Sequence, residues 1–183
     1  MTVNSELTEQ YLSEGENLHQ SGKFDEAIAQ YQKILALKPD AAVARSKIAE
    51  IYYTQQKYVE AIAECYQTLR QQPNFAPAYK TLGNILQAQG KTDAAMRAYS
   101  KAIECDPKLV AAYVNLGSMC YKQSLLDEAI TYYQKAISMQ PDLAAAYWNL
   151  GKVLEQQGRI NEGLIYQQKA LNLEPDLGKI DNK

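Results

Sequence analysis

The chain of 183 residues is poor in the groups on which most catalytic and metal sites depend. His19 is its only histidine, which excludes a multi-histidine metal site or a paired-histidine mechanism. Three cysteines, Cys65, Cys105 and Cys120, are odd in number and lack CxxC spacing, the usage of reduced thiols in a cytoplasm. Neither charge sign dominates: 19 Lys+Arg stand against 21 Asp+Glu, so no electrostatic footprint for nucleic acid or an anionic bilayer is expected. The longest apolar runs, such as Leu109 to Val114, reach six residues, far short of the roughly 20 that span a membrane. Residues 1–10 contain Glu6 and Glu9 and no apolar core, so no signal peptide is expected. GxGxxG, GxxxxGK[ST] and GxSxG are missing too. The reading is a cytoplasmic non-enzyme without cofactor or metal.

What the sequence does have is a period. Five of its six prolines, Pro39, Pro73, Pro107, Pro141 and Pro175, are each 34 residues from the next. With that proline at position 32, the repeats are 8–41, 42–75, 76–109, 110–143 and 144–177. A lead-in of 1–7 and a tail of 178–183 flank a single repeat domain. Position 8 is tiny throughout (Gly15, Ala49, Gly83, Gly117, Gly151), and so is position 20 (Ala27, Ala61, Ala95, Ala129, Gly163). Position 4 is Tyr11, Tyr79, Tyr113 or Tyr147, with Arg45 the exception. Position 24 is Tyr31, Tyr99 or Tyr133, with Cys65 and Gln167 departing. Tiny residues at two columns let two backbones approach, and aromatics fill the space beside them. Each repeat is therefore predicted to be an antiparallel helix pair.

Local signals set the helix limits. Tyr113, Leu116, Cys120 and Tyr121 follow the spacing of an amphipathic helix. Gly22, Gly90 and Gly158, all at position 15, suit the left-handed residue that closes a first helix. Asp25, Asp93, Asp127 and Asn161, at position 18, are candidate N-caps for the second. Val59 breaks that column, so the second helix of repeat two is expected to start less firmly. The recurrent proline ends each second helix.

In period and column chemistry the chain resembles the tetratricopeptide repeat family. The motif is carried by Tyr79, Leu82, Gly83, Leu86, Ala95, Tyr99, Ala102 and Pro107, and again by Tyr113, Leu116, Gly117, Ala129, Tyr133, Ala136 and Pro141. The resemblance implies an all-α superhelix of five antiparallel helix pairs, with the first helices lining a concave groove. It also implies that positions 2, 5, 6, 9, 12 and 13 face that groove. These include Leu12, Val43, Ser46, Thr81, Ser118 and Tyr53, together with the candidate binding residues Lys80, Asn84, Asn115, Tyr121, Lys122, Trp148, Asn149 and Lys152. Asn115 and Asn149, one period apart, look like two rungs of the asparagine ladder of O-GlcNAc transferases. Lys80, Asn84 and Asn115 match part of the carboxylate clamp of chaperone-binding members, whose second cation is missing here.

The inferred groove has a charge gradient. Glu9, Glu16 and Glu50 outnumber Lys47 in repeats one and two, whereas Lys80, Lys122 and Lys152 outnumber Glu155 in repeats three to five. A basic wall of that kind favours an acidic side chain or a C-terminal carboxylate on a docked peptide. The expected function is a protein interaction module that binds an extended peptide or a partner helix in its groove. Two alternatives stand beside it: the substrate-recruiting segment of a larger transferase, and a scaffold that assembles end to end through its last helix. Leu164, Ile165 and Leu171 keep that helix apolar, which implies a longer polypeptide or a covering molecule.

Overall fold

The computed structural model describes residues 3–177. Among them are ten helices and no strand: α1 (Val3–Gln20), α2 (Phe24–Leu37), α3 (Ala42–Thr54), α4 (Tyr58–Gln71), α5 (Ala76–Ala88), α6 (Thr92–Cys105), α7 (Val110–Lys122), α8 (Leu126–Met139), α9 (Ala144–Gln156) and α10 (Ile160–Leu173). Each repeat read from the prolines holds one helix pair. Helix α1 starts at Val3, so residues 3–7 of the expected lead-in are helical; the expected tail, 178–183, lies outside the described residues. The helices gather into two compact units, Met1–Ala98 and Tyr99–Lys183, divided within α6.

In the N-terminal unit α1 packs on α2, α2 on α3, α3 on α4, and both α3 and α4 on α5. In the C-terminal unit α7 packs on α8, α8 on α9, α9 on α10, and α7 touches α9. The tiny columns work as the sequence implies, and the neighbours explain their exceptions. A Cβ on Gly15 would sit 2.6 Å from the Tyr31 ring, and one on Gly117 would sit 3.1 Å from the Tyr133 ring. Where position 8 is Ala49, position 24 shrinks to Cys65, and both are fully buried in one cluster. In the last repeat Gly151 and Gly163 bring two backbones together, with Cβ-to-carbonyl spacings of 2.7 and 2.8 Å. No ring fits there, and Gln167 stands at position 24.

Gly22, Gly90 and Gly158 have φ of +73°, +71° and +85°, as expected of left-handed helix ends. Gln56 and Ser124 adopt the same backbone at the same column, each with φ of +59°, because the stacking of the repeats dictates the turn even where no glycine is present. The second-helix starts differ from expectation. Lys23, Lys57, Leu125 and Arg159 occupy the N-cap place and make no side-chain capping bond. Asp25 and Asp127 lie one step inside, in the first turn, where their charge favours the helix dipole instead of capping it. Helix α4, expected to start less firmly because Val59 breaks the cap column, is 14 residues long, as are α2, α8 and α10.

The two ends of the array are finished differently. Positions 3, 7 and 10 are buried apolar residues in repeat two (Ala44, Ile48, Ile51) and repeat five (Ala146, Leu150, Val153). In repeat one they are Gln10, Glu14 and Asn17, all exposed. Position 21 is 8% exposed at Ile28 and Ile130 but 52% exposed at Leu164. The first helix thus carries a polar outer face, and the last does not.

Core hydroxyls and thiols give the fold an alkaline limit. Burial pushes Tyr31, Tyr133 and Cys65 each up to about 12, with Glu16 and Glu50 adding to the effect at Tyr31. These groups hold their protons more tightly folded than unfolded, so their contribution is complete below the ordinary values of 10.0 and 9.0 and is lost as pH rises towards 12. Helicity followed against pH should fall across that window together with the rise of phenolate absorbance. Tyr31→Phe, which removes a buried hydroxyl that has no partner, should move the midpoint upward. An unmoved midpoint would remove Tyr31 from the account.

Candidate groove site

Five of the eight sequence-predicted residues, Asn115, Tyr121, Trp148, Asn149 and Lys152, sit partly buried on first helices of the C-terminal unit. Asn115 and Tyr121 belong to α7, with Lys122 exposed at its end. Trp148, Asn149 and Lys152 belong to α9, which α7 touches directly. Residues four apart share a helix face, and the Lys152 Nζ lies 5.7 Å from the centre of the Trp148 ring. That contact is of cation–π length. Neither Trp148 nor the two asparagines belong to the buried core. On α7 the Ser118 hydroxyl is 2.9 Å from the Tyr133 hydroxyl, so the groove column and the packing column are linked there. The C-terminal unit therefore offers an aromatic ring, two amides and two lysines on neighbouring helices.

The other two, Lys80 and Asn84, lie on α5 in the N-terminal unit, and there the expected charge pattern changes. Lys80 Nζ is 2.8 Å from Glu50 Oε1, with side chains only 20% and 26% exposed. Lys47 Nζ is 3.1 Å from Glu16 Oε1. Each acid at position 9 meets a lysine on the first helix of the next repeat, so the acidic and basic halves read from the sequence cancel locally within this unit. Lys80 is thus committed to Glu50, and the expected basic wall is reduced to Lys122 and Lys152. Two further positions differ from expectation. Ser46 is 4% exposed and Thr81 fully buried; both belong to the packing and not to a groove wall, because α3 and α5 meet each other and α4 on that side.

Sequence reasoning missed two features. Arg45, at a tyrosine column, reaches Glu64 at 3.0 Å and the Pro39 carbonyl at 3.2 Å. Phe75, on an inter-repeat turn, lines an apolar dent with Leu12 and Val43. The substitution of an arginine into an aromatic column was the available signal for the first; nothing in the period marks the second. Among the described residues no helix is long and apolar enough to cross a membrane, and no group of three or more His, Cys, Asp or Glu could hold a metal ion.

Comparison with known proteins gives a consistent result. Models of the tetratricopeptide repeat match residues 18–85 and 144–177, and a TPR repeat model matches 83–124 and 117–158. A crystal structure of MamA is 29% identical, with 90% of this chain and 96% of that one covered and a TM-score of 0.71. YrrB, described as a TPR protein with an unusual peptide-binding site, is 22% identical over 96% of this chain and 94% of its own, with a TM-score of 0.65. The pilF protein of Pseudomonas aeruginosa is 18% identical over 98% of this chain and 86% of its own, with a TM-score of 0.81. No curated protein matches the sequence. With the period, the helix pairs and the family models in agreement from residue 18 to residue 177, the chain belongs to the tetratricopeptide repeat family.

Proposed function

We propose that the chain is a non-catalytic interaction module that binds an extended peptide or a partner helix on the first helices of its repeats, with the principal contacts in the C-terminal unit. The observation that carries this reading is the partly exposed Trp148 on α9, with Lys152 over its ring and Asn149 beside it. A large ring outside the core is a frequent binding anchor. Amides such as Asn115 and Asn149 offer donors and acceptors to a peptide main chain whatever its side chains are. The cation set of Lys122 and Lys152 favours a partner with an acidic side chain or a terminal carboxylate. YrrB, a protein of this fold, has a peptide-binding site.

Affinity capture with the wild-type chain beside Asn115→Ala/Trp148→Ala/Asn149→Ala tests the reading. Truncating an anchoring aromatic costs about 2 kcal/mol or more, so partners identified with the wild type should fall at least tenfold in the variant at unchanged helicity. Undiminished capture would remove the site from the C-terminal unit.

A further inference from the structure

The N-terminal unit has a concavity of its own, where its inter-repeat turns meet the expected groove positions Leu12 and Val43. A dent of about 270 Å³ opens there, walled by Leu12 of α1, Ile34 of α2, Val43 at the start of α3 and Phe75 of the turn before α5. Val43 is 47% exposed although it is a wall of the dent. The two turns that frame it are tied together, with Gln72 Nε2 donating to the Asp40 carbonyl at 3.2 Å and Gln71 Nε2 to the Pro39 carbonyl at 3.5 Å. The dent is therefore shaped by backbone held in place rather than by one side-chain rotamer.

Its surroundings have a sign. A second depression, of about 400 Å³, adjoins it and shares Thr8 and Lys38, and Glu9 and the exposed Leu37 line it. The two linings hold one lysine, Lys38, and two acids, Asp40 and Glu9, and none of the three makes an ion pair among the described residues. Helix α1 carries Glu6, Glu9, Glu14 and Glu16 with no lysine or arginine. Among the described residues Glu16 alone of these four has a cationic partner, Lys47, and Glu9 alone lines either depression. Asp40 and Glu9 against Lys38 leave one net negative charge beside an apolar socket, which complements an apolar side chain carried next to a positive charge.

We propose that this dent receives one large apolar side chain of a partner peptide whose neighbouring residue is lysine or arginine, the apolar group entering between Leu12, Val43 and Phe75 and the cation facing Glu9. The inference rests on the reading of the chain as an interaction module, but it uses residues of the N-terminal unit alone and names a partner chemistry opposite to that favoured by Lys122 and Lys152.

The test is titration of the isotopically labelled full chain, followed by amide chemical shifts, with three blocked synthetic peptides at millimolar concentration. One has a lysine–leucine–lysine core flanked by glycines, one replaces the leucine by glycine, and one replaces both lysines by glutamate. The first should shift Thr8, Leu12, Val43 and Phe75 in a saturable way, and the other two should bind at least tenfold more weakly. Val43→Arg, at a half-exposed wall of the dent, should abolish the response at unchanged helicity. Glu6→Lys/Glu9→Lys should turn the preference towards the glutamate peptide. The variant lacking Asn115, Trp148 and Asn149 should respond as the wild type does, which separates this inference from the site in the other unit. Equal shifts with the glycine-cored peptide, a preference of the wild type for glutamate, a response that survives Val43→Arg, or no response at all would each overturn it.

Discussion

Gly163→Ala is expected to destabilise the C-terminal unit by about 2 kcal/mol, whereas Gly117→Ala should stay within about 0.5 kcal/mol of the wild type. Both glycines are helical, and both substitutions gain up to about 1 kcal/mol of helix propensity. The difference lies in what the new methyl group meets. At Gly163 the Cβ would stand 2.7 Å from the Gly151 carbonyl oxygen and 2.8 Å from Glu155 Cγ. A backbone carbonyl in a facing helix cannot turn aside, so α9 and α10 must separate. Separation loosens the contact that buries Leu150, Leu154 and Ala170. At Gly117 the neighbour is the edge of the Tyr133 ring at 3.1 Å, and a ring on a flexible bond yields a few tenths of an ångström. Thermal unfolding of the two variants beside the wild type decides the matter. A Gly117 variant less stable than the Gly163 variant would show that the α9–α10 crossing is not the tight contact.

The same crossing shows how far the fold was legible. Small residues at positions 8 and 20 declared a close helix pair in every repeat, and the exceptions at position 24 obeyed the space left by those two columns: cysteine against Ala49, glutamine where Gly151 and Gly163 bring the backbones together. Helix ends at glycine and proline were equally readable, since both act through their own backbone. Second-helix starts were not. Asp25 and Asp127 have cap chemistry, yet the helices begin before them, because Lys23 and Leu125 already sit at the N-cap and their carbonyls accept the first intrahelical bonds, from Ala27 and Ala129. The groove was legible as a set of columns and not as a set of charges. Lys80 reads as a basic group, but its partner Glu50 is 30 residues earlier and becomes a neighbour only when α3 and α5 stack. Thr81 and Ser46 failed for a related reason. A family column gives an average direction, and in the N-terminal unit the close stacking of α3, α4 and α5 covers both side chains.

Arg45 is the position where a local rule is broken most plainly, and its replacement should have the other large effect. In repeats three and four the tyrosine of this column donates its hydroxyl to the carbonyl of the proline six residues upstream, Tyr79 to Pro73 at 3.1 Å and Tyr113 to Pro107 at 3.2 Å. Arg45 Nη2 makes the equivalent bond to Pro39 at 3.2 Å, and Nη1 adds the Glu64 carboxylate at 3.0 Å. The guanidinium is thus a tyrosine mimic with a counter-ion, and its Nε remains buried without a partner. Arg45→Met loses both bonds and leaves Glu64, whose side chain is 25% exposed, without its cation. The expected cost is about 2–3 kcal/mol, below the range for a fully buried stranded charge because water still reaches Glu64. Glu64→Gln should cost about 1 kcal/mol, since an amide oxygen still accepts from Nη1. Arg45→Tyr/Glu64→Leu should recover most of the loss, because tyrosine restores the bond to Pro39 and leucine leaves no carboxylate to satisfy. Urea unfolding of Arg45→Tyr, Glu64→Leu and the double variant closes a cycle and yields the coupling directly. If Arg45→Tyr alone were as stable as the double variant, Glu64 would be an incidental neighbour, and the bond to the Pro39 carbonyl would by itself explain why arginine is tolerated in an aromatic column.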